Sequence, residues 1–128
     1  MRKEQIAFLV LNCLCLVTLG GCLVAAVGVG AAGTVAYVRG DLEAVEAKSL
    51  DELYDASVKA VDKLELALIS KSKDALSAEI IARDSEDKKI RINLTSSAEG
   101  TTKVTIRVGT FGSQTKSRAI YEKIKENL

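Results

Sequence analysis

The sequence lacks histidine, proline and tryptophan altogether. Without histidine the chain has no imidazole base, no serine–histidine or cysteine–histidine pair and no imidazole ligand for a metal. Many common enzyme mechanisms are thereby excluded, and we expect neither a metal site nor a cofactor. The three cysteines, Cys13, Cys15 and Cys22, all lie near the start of the chain. No disulfide can form beyond residue 22, so the folded part depends on its apolar core.

Charge is sparse at the start of the chain and balanced afterwards. Residues 1–21 carry only Arg2, Lys3 and Glu4 as charged side chains, and beyond them acidic and basic residues are equal in number. A formally neutral remainder argues against general binding of nucleic acid. The length of 128 residues has room for one domain.

A long stretch without charge follows the basic start. From Ile6 to Val38 the chain has 33 residues and no charged side chain. One helix of that length would measure about 50 Å, against about 30 Å of bilayer hydrocarbon, so the stretch is better divided into two pieces. The first piece has the order typical of a secretory signal: a basic start, an apolar middle and small residues before the cleavage site.

The end of the first piece is Leu19, Gly20, Gly21 and Cys22. These four residues resemble the lipobox of bacterial lipoproteins, in which the cysteine thiol takes a diacylglyceryl group and the chain is cleaved before it. Neither of the other cysteines follows a small residue, so Cys22 is the expected lipidation site. Two or more acyl chains hold a protein on a membrane firmly, whereas one chain holds it only marginally.

The residue after the lipobox is Leu23. By resemblance to the enteric sorting rule, a leucine there instead of an aspartate implies the outer membrane, with the protein facing the periplasm. The alternative is that Cys22 is a small apolar residue in the uncleaved anchor helix of a single-pass membrane protein.

The second apolar piece is rich in glycine and alanine. We interpret it as a tether beside the membrane; the alternative is a helix whose small residues Gly28, Gly30 and Gly33 permit close helix contact in lipid. The expected organisation is a signal peptide over residues 1–21, a lipidated tether over residues 22–40 and a small domain over residues 41–128.

Helix and strand signals alternate in the domain. Ser49 and Glu52 form a capping box, and apolar residues then recur at helical spacing, which predicts a helix from about Leu50 to Leu64. The stretch "DLEAVEA" before it predicts a short strand, and "LALISKS" after it is either a strand or the end of the helix.

Three alternating strands and a closing helix complete the prediction. Even-numbered residues from Leu76 to Val108 are mostly apolar, and "DSEDK" and "SSAEG" separate the strands as turns, which predicts an antiparallel meander. A helix opened by Ser113 follows, with Ile120, Tyr121, Ile124 and Leu128 on one face. The expected fold class is α+β: an antiparallel sheet of four to five strands with two helices packed on one face.

Three segments carry a family resemblance. "GTVAYVRGDLEA", "KDALSAEI" and "TTKVTIRVGTFG" resemble segments of a family of small bacterial lipoproteins of unknown function. The Val-Gly-Thr-Phe-Gly turn before a helix is the most specific of these features. The resemblance implies a location and a fold, and no activity.

The same turn, Gly109 to Gly112, has two interpretations. Free N–H groups at a helix start can hold an anion, and glycine lets the backbone approach one. Alternatively the turn requires glycine torsions, and Phe111 covers the edge of the core.

Basic side chains share the predicted outer face of the meander. Antiparallel pairing places Arg91 opposite Arg107, and likewise Arg83 opposite Lys89. Opposed like charges are destabilising, and only Glu79 offers a carboxylate on that face of the three strands. Replacing either Arg91 or Arg107 with threonine is therefore expected to leave stability unchanged or to raise it slightly. The face is either a solvated surface or a docking surface for an anionic envelope component or protein partner; its members are Arg83, Lys89, Arg91, Lys103 and Arg107.

Two function classes remain. The first, which we favour, is a non-enzymatic envelope lipoprotein that binds or scaffolds a partner. The second is a small hydrolase or transferase that works with carboxylates alone, for example Asp41, Glu43 and Glu46, since two carboxylates suffice for acid–base chemistry.

Overall fold

The computed structural model describes residues 3–7, 35–97 and 100–128. Contacts divide the chain into two units, residues 1–31 and residues 32–128. Residues 3–7 of the first unit are helical. The lipobox, including Cys22, and the Gly/Ala-rich stretch up to residue 34 lie outside the described residues.

In the second unit the strands form one layer, a single sheet, and two helices form the other layer. In its described part the elements are β1 (Val35–Val38), β2 (Asp41–Glu46), α1 (Leu50–Lys63), β3 (Ala67–Lys73), β4 (Ser77–Arg83), β5 (Lys89–Ser96), β6 (Thr102–Val108) and α2 (Gln114–Glu126). All strand pairs are antiparallel, in the order β1-β2-β6-β5-β4-β3. The predicted α+β class is confirmed, although the sheet has six strands instead of four or five.

The additional strand β1 comes from the stretch expected to be tether. Val35–Val38 pairs with β2 through a two-residue turn in which Arg39 and Gly40 have φ of 53° and 88°. Positive φ at both turn residues is the geometry that matches the twist of a tight hairpin. A boundary at residue 41 therefore cuts through a hairpin of the sheet.

Helix α1 begins as its capping box predicts. Ser49 Oγ accepts from the Glu52 N–H at 3.2 Å, while a Glu52 carboxylate oxygen accepts from the Ser49 N–H at 3.1 Å. The segment after the helix, left open as strand or helix end, forms edge strand β3. The change of direction occurs at Glu65, whose φ is 56°.

The core lies between the helices and the even-numbered face of the meander, as the alternation predicts. The even-numbered strand residues from Ala78 to Val108 are buried except Ser96, the last residue of β5, which is half-buried; Ile120, Tyr121 and Ile124 of α2 are buried with them. Two apolar residues that were expected to face the core are exposed, because they lie outside the strands and helices. Leu76 lies in the turn before β4 and is 68% exposed, and Leu128 follows α2 and is 41% exposed.

Candidate functional site

The five basic residues of the predicted face lie on β4, β5 and β6, on the side of the sheet away from the helices. The register confirms that Arg91 lies opposite Arg107 and that Arg83 lies opposite Lys89. The inward neighbours of these residues are buried core positions, which is why the charged side chains point to solvent.

Acidic partners accompany most of these cations. The N···O distances are 3.1 Å for Arg83–Asp87, 3.5 Å for Arg91–Glu79, 3.2 Å for Lys103–Glu43 and 2.8 Å for Arg107–Asp41. Two of the carboxylates come from β2, which pairs with β6 across a long stretch of sequence. Within the described ranges, Lys89 forms no ion pair.

Arg107 does more than carry charge. Its guanidinium donates to the carboxylate of Asp41 at 2.8 Å, to the backbone carbonyl of Arg39 at 3.0 Å and to that of Thr110 at 2.5 Å. One side chain therefore joins the β1–β2 turn to the loop between β6 and α2. The expectation that Arg107→Thr leaves stability unchanged is inconsistent with these contacts, since like-charge repulsion is outweighed by three charge-assisted hydrogen bonds.

The same turn and loop also meet through their backbones. A Cβ atom built on Gly112 would lie 2.1 Å from the carbonyl oxygen of Gly40, and one built on Gly40 would lie 2.4 Å from that of Phe111. Gly112 also has a φ of 81°, a backbone conformation in which any residue other than glycine is strained. Close approach of two chain segments thus accounts for glycine at both positions.

Phe111 projects away from this contact and is 91% exposed. The expectation that it covers the edge of the core is wrong, because the Gly40–Gly112 contact fixes the loop with its side chain outward. The loop is also held at its start, where the Gly109 N–H donates to the carbonyl of Lys89 at 2.8 Å. At the helix start Ser113 Oγ accepts from the Lys116 N–H at 3.4 Å, so the helix supplies its own cap.

A depression of about 570 Å³ lies between the outer sheet face and this loop. Its lining consists of five cationic side chains, one carboxylate and three residues of the loop: Arg83, Lys88, Lys89, Arg91, Arg107, Asp87, Gly109, Thr110 and Phe111. Four of the five predicted residues are thus brought together. Lys103 lies apart, in a second depression with Glu79 and Asn93. Sequence reasoning did not include Lys88 in the site, and it considered Phe111 only as part of the Gly109–Gly112 turn, which could hold an anion or cover the edge of the core.

An ion cluster fixes the β4–β5 turn beside the depression. Lys116 of α2 donates to Asp84 at 2.9 Å and to Glu86 at 2.6 Å. The hydrogen bond from Lys116, helped by backbone N–H groups of the turn, lowers the pKa of Asp84 below its ordinary value. The described residues contain no group of three or more acidic or cysteine side chains placed to hold a metal ion.

The three carboxylates of the alternative function do not share one site. Asp41 and Glu43 lie on the outer face in ion pairs with Arg107 and Lys103. Glu46 lies on the opposite, buried face, where it accepts a hydrogen bond from the Tyr121 hydroxyl. Burial, followed by this hydrogen bond, raises the pKa of Tyr121 above its ordinary value.

Comparison with known proteins adds a family. A family model described as a protein of unknown function, DUF3568, matches residues 5–127. No curated protein matches the sequence. None of the helices in residues 3–7, 35–97 and 100–128 is both long and apolar enough to cross a membrane.

Proposed function

The chain belongs to the DUF3568 family of proteins of unknown function, and we propose that it is a lipid-anchored protein of the bacterial envelope whose domain binds an anionic partner without catalysing a reaction. The anchor is supported by the lipobox sequence Leu19, Gly20, Gly21 and Cys22. The expected location is the outer membrane, facing the periplasm.

The observation that carries the binding role is the cationic depression beside Phe111. Arg83, Lys89, Arg91 and Arg107 line it together. These four residues form two like-charge pairs directly across neighbouring strands, and an anion bound in the depression would offset repulsion beyond what Asp41 and Glu79 already offset. Exposed ion pairs such as Arg91–Glu79 contribute little to stability, so an incoming anion can replace the carboxylate at small cost.

The carboxylate-enzyme alternative lacks comparable support. Acid–base catalysis by two carboxylates needs both to converge on one substrate position. Asp41 and Glu43 are engaged by basic neighbours, and Glu46 lies on the other side of the sheet.

The anchor is tested by metabolic labelling with a fatty acid. The wild-type chain should be labelled and should start at Cys22 after processing. Cys22→Ser should remain an unlabelled precursor, whereas Cys13→Ser should be labelled like the wild type. A Cys22→Ser chain that is still cleaved after Gly21 and acylated would disprove the anchor.

The binding role is tested with inorganic polyphosphate as the probe and the lipidated chain in neutral detergent. Arg91→Ser should weaken binding several-fold, while Lys103→Ser is the matched control because its exposure is similar but it lies outside the depression. Added salt should weaken wild-type binding in parallel. No binding at low salt, or equal loss in both variants, would count against the depression as a specific site.

A further inference from the structure

Phe111 combines full exposure with a fixed backbone. Single exposed apolar residues are common and need no explanation. This one is 91% exposed at the tip of a loop that is tied down at Gly109, Thr110 and Gly112. A large apolar side chain held outward in this way loses little conformational freedom when it enters an apolar environment, which lowers the cost of binding.

Cationic side chains lie beside Phe111, in the depression that it helps to line and on the neighbouring turn. Lys88, Lys89 and Arg91 line the adjacent depression, and Arg39 is exposed on the turn whose glycine contacts the Phe111 backbone. Val38, 45% exposed, leads into that turn. An exposed aromatic side chain beside a group of lysines and arginines has the chemistry of side chains that enter the headgroup region of an anionic bilayer.

We propose that this end of the domain docks onto an anionic phospholipid surface. Phe111 enters the boundary between headgroups and acyl chains, and Lys88, Lys89 and Arg91 contact lipid phosphates. The inference rests on the proposed function, because the lipid on Cys22 keeps the domain beside a bilayer. It identifies the anionic partner as the membrane itself.

The chain between Cys22 and the sheet is long enough to let the end of the domain that carries Phe111 reach the bilayer. Twelve residues separate Cys22 from Val35, where β1 begins. Fully extended, they span up to about 45 Å. Strand β6 has seven residues, which correspond to about 23 Å. The end of the sheet that carries Phe111 therefore lies within reach of the anchoring bilayer.

Tryptophan fluorescence provides a test in the full lipidated chain, because the sequence contains no tryptophan. Phe111→Trp places the only tryptophan of the chain at the loop tip. Leu76→Trp is the matched control, since Leu76 is 68% exposed on the turn at the other end of β4. Each variant is reconstituted into phosphatidylcholine vesicles with or without phosphatidylglycerol, and emission and quenching by brominated acyl chains are recorded.

The expected result is a blue shift and several-fold stronger quenching for Trp at position 111 than at position 76, in anionic vesicles only. Adding Lys89→Ser and Arg91→Ser to Phe111→Trp should reduce that quenching to the control level. Unshifted, unquenched emission at position 111 in vesicles that retain the protein would overturn the membrane docking alone. Failure of the wild-type chain to stay on any vesicle would instead count against the lipid anchor.

Discussion

Gly40 and Gly112 lie in contact through their backbones, so that a Cβ atom on Gly112 would fall 2.1 Å from the carbonyl oxygen of Gly40. One residue belongs to the turn between β1 and β2 and the other to the loop before α2, which are far apart in sequence. Together with the hydrogen bonds of Arg107, this contact determines where Phe111 points. The candidate site therefore depends on two glycines that carry no chemistry of their own.

Gly112→Ala should destabilise the domain by more than about 2 kcal/mol, because it combines a positive φ with a backbone clash. Gly100→Ala is the control, since Gly100 has a φ of 70° but open space around its Cβ position. That variant should cost only about 1 kcal/mol, from backbone strain alone. Chemical denaturation measures both. Equal losses in the two variants would show that the Gly40 contact does not matter for stability.

Arg107→Thr should lower the free energy of unfolding by about 1–2 kcal/mol, because Asp41 and two backbone carbonyls lose a charged donor. Arg91→Thr should change it by less than about 0.5 kcal/mol, since its exposed pair with Glu79 is 3.5 Å long. Thermal melts of both variants check this. A neutral or stabilising Arg107→Thr would restore the view that opposed arginines merely repel.

The helices and strands that are marked by a local pattern of residues could be predicted from the sequence. The capping box of Ser49 and Glu52 places α1, and strict alternation places the faces of the meander and the opposition of Arg91 and Arg107. Such signals depend on neighbouring residues and on a period of two or 3.6 residues, which a single sequence contains.

Other features could not be predicted from the patterns of a single sequence. Strand β1 follows a Gly/Ala-rich stretch, and only its pairing with β2 makes it a strand. The carboxylates of Asp41 and Glu43 reach the basic face because β2 lies beside β6. Phe111 has a large apolar side chain of the kind that is usually buried. Its exposure follows from the contact between the β1–β2 turn and the loop before α2.

A chain that begins at residue 33 should be more stable than one that begins at Asp41. The shorter chain lacks β1 and Gly40, so β2 becomes an open edge and the loop at Gly112 loses its backbone contact. Open edges also favour association between chains. Melting temperature and sedimentation velocity compare the two. If both chains melt alike and remain monomeric, the strand contributes nothing to the domain and the boundary at residue 41 is adequate.

Tyr121 and Glu46 should make the domain sensitive to alkali. Tyr121 is fully buried, and burial together with the hydrogen bond to Glu46 raises its pKa above the ordinary value of 10.0. Below that pH both the folded and the unfolded chain hold the phenolic proton, and the contribution to stability is fully present. As the pH rises further, the unfolded chain releases the proton first, so folding loses about 1.4 kcal/mol per pH unit until the folded state ionises too.

Tyr121→Phe separates this effect from the titration of lysines in the same range. The variant should be less stable at neutral pH by about 1–3 kcal/mol, because the buried carboxylate of Glu46 loses its donor. Its stability should then fall less steeply than that of the wild type above pH 10, since no tyrosine proton remains to be lost from this site. Urea denaturation across the alkaline range measures both curves. Parallel curves would mean that deprotonation of Tyr121 is not what weakens the fold, because every other titrating group is present in both chains.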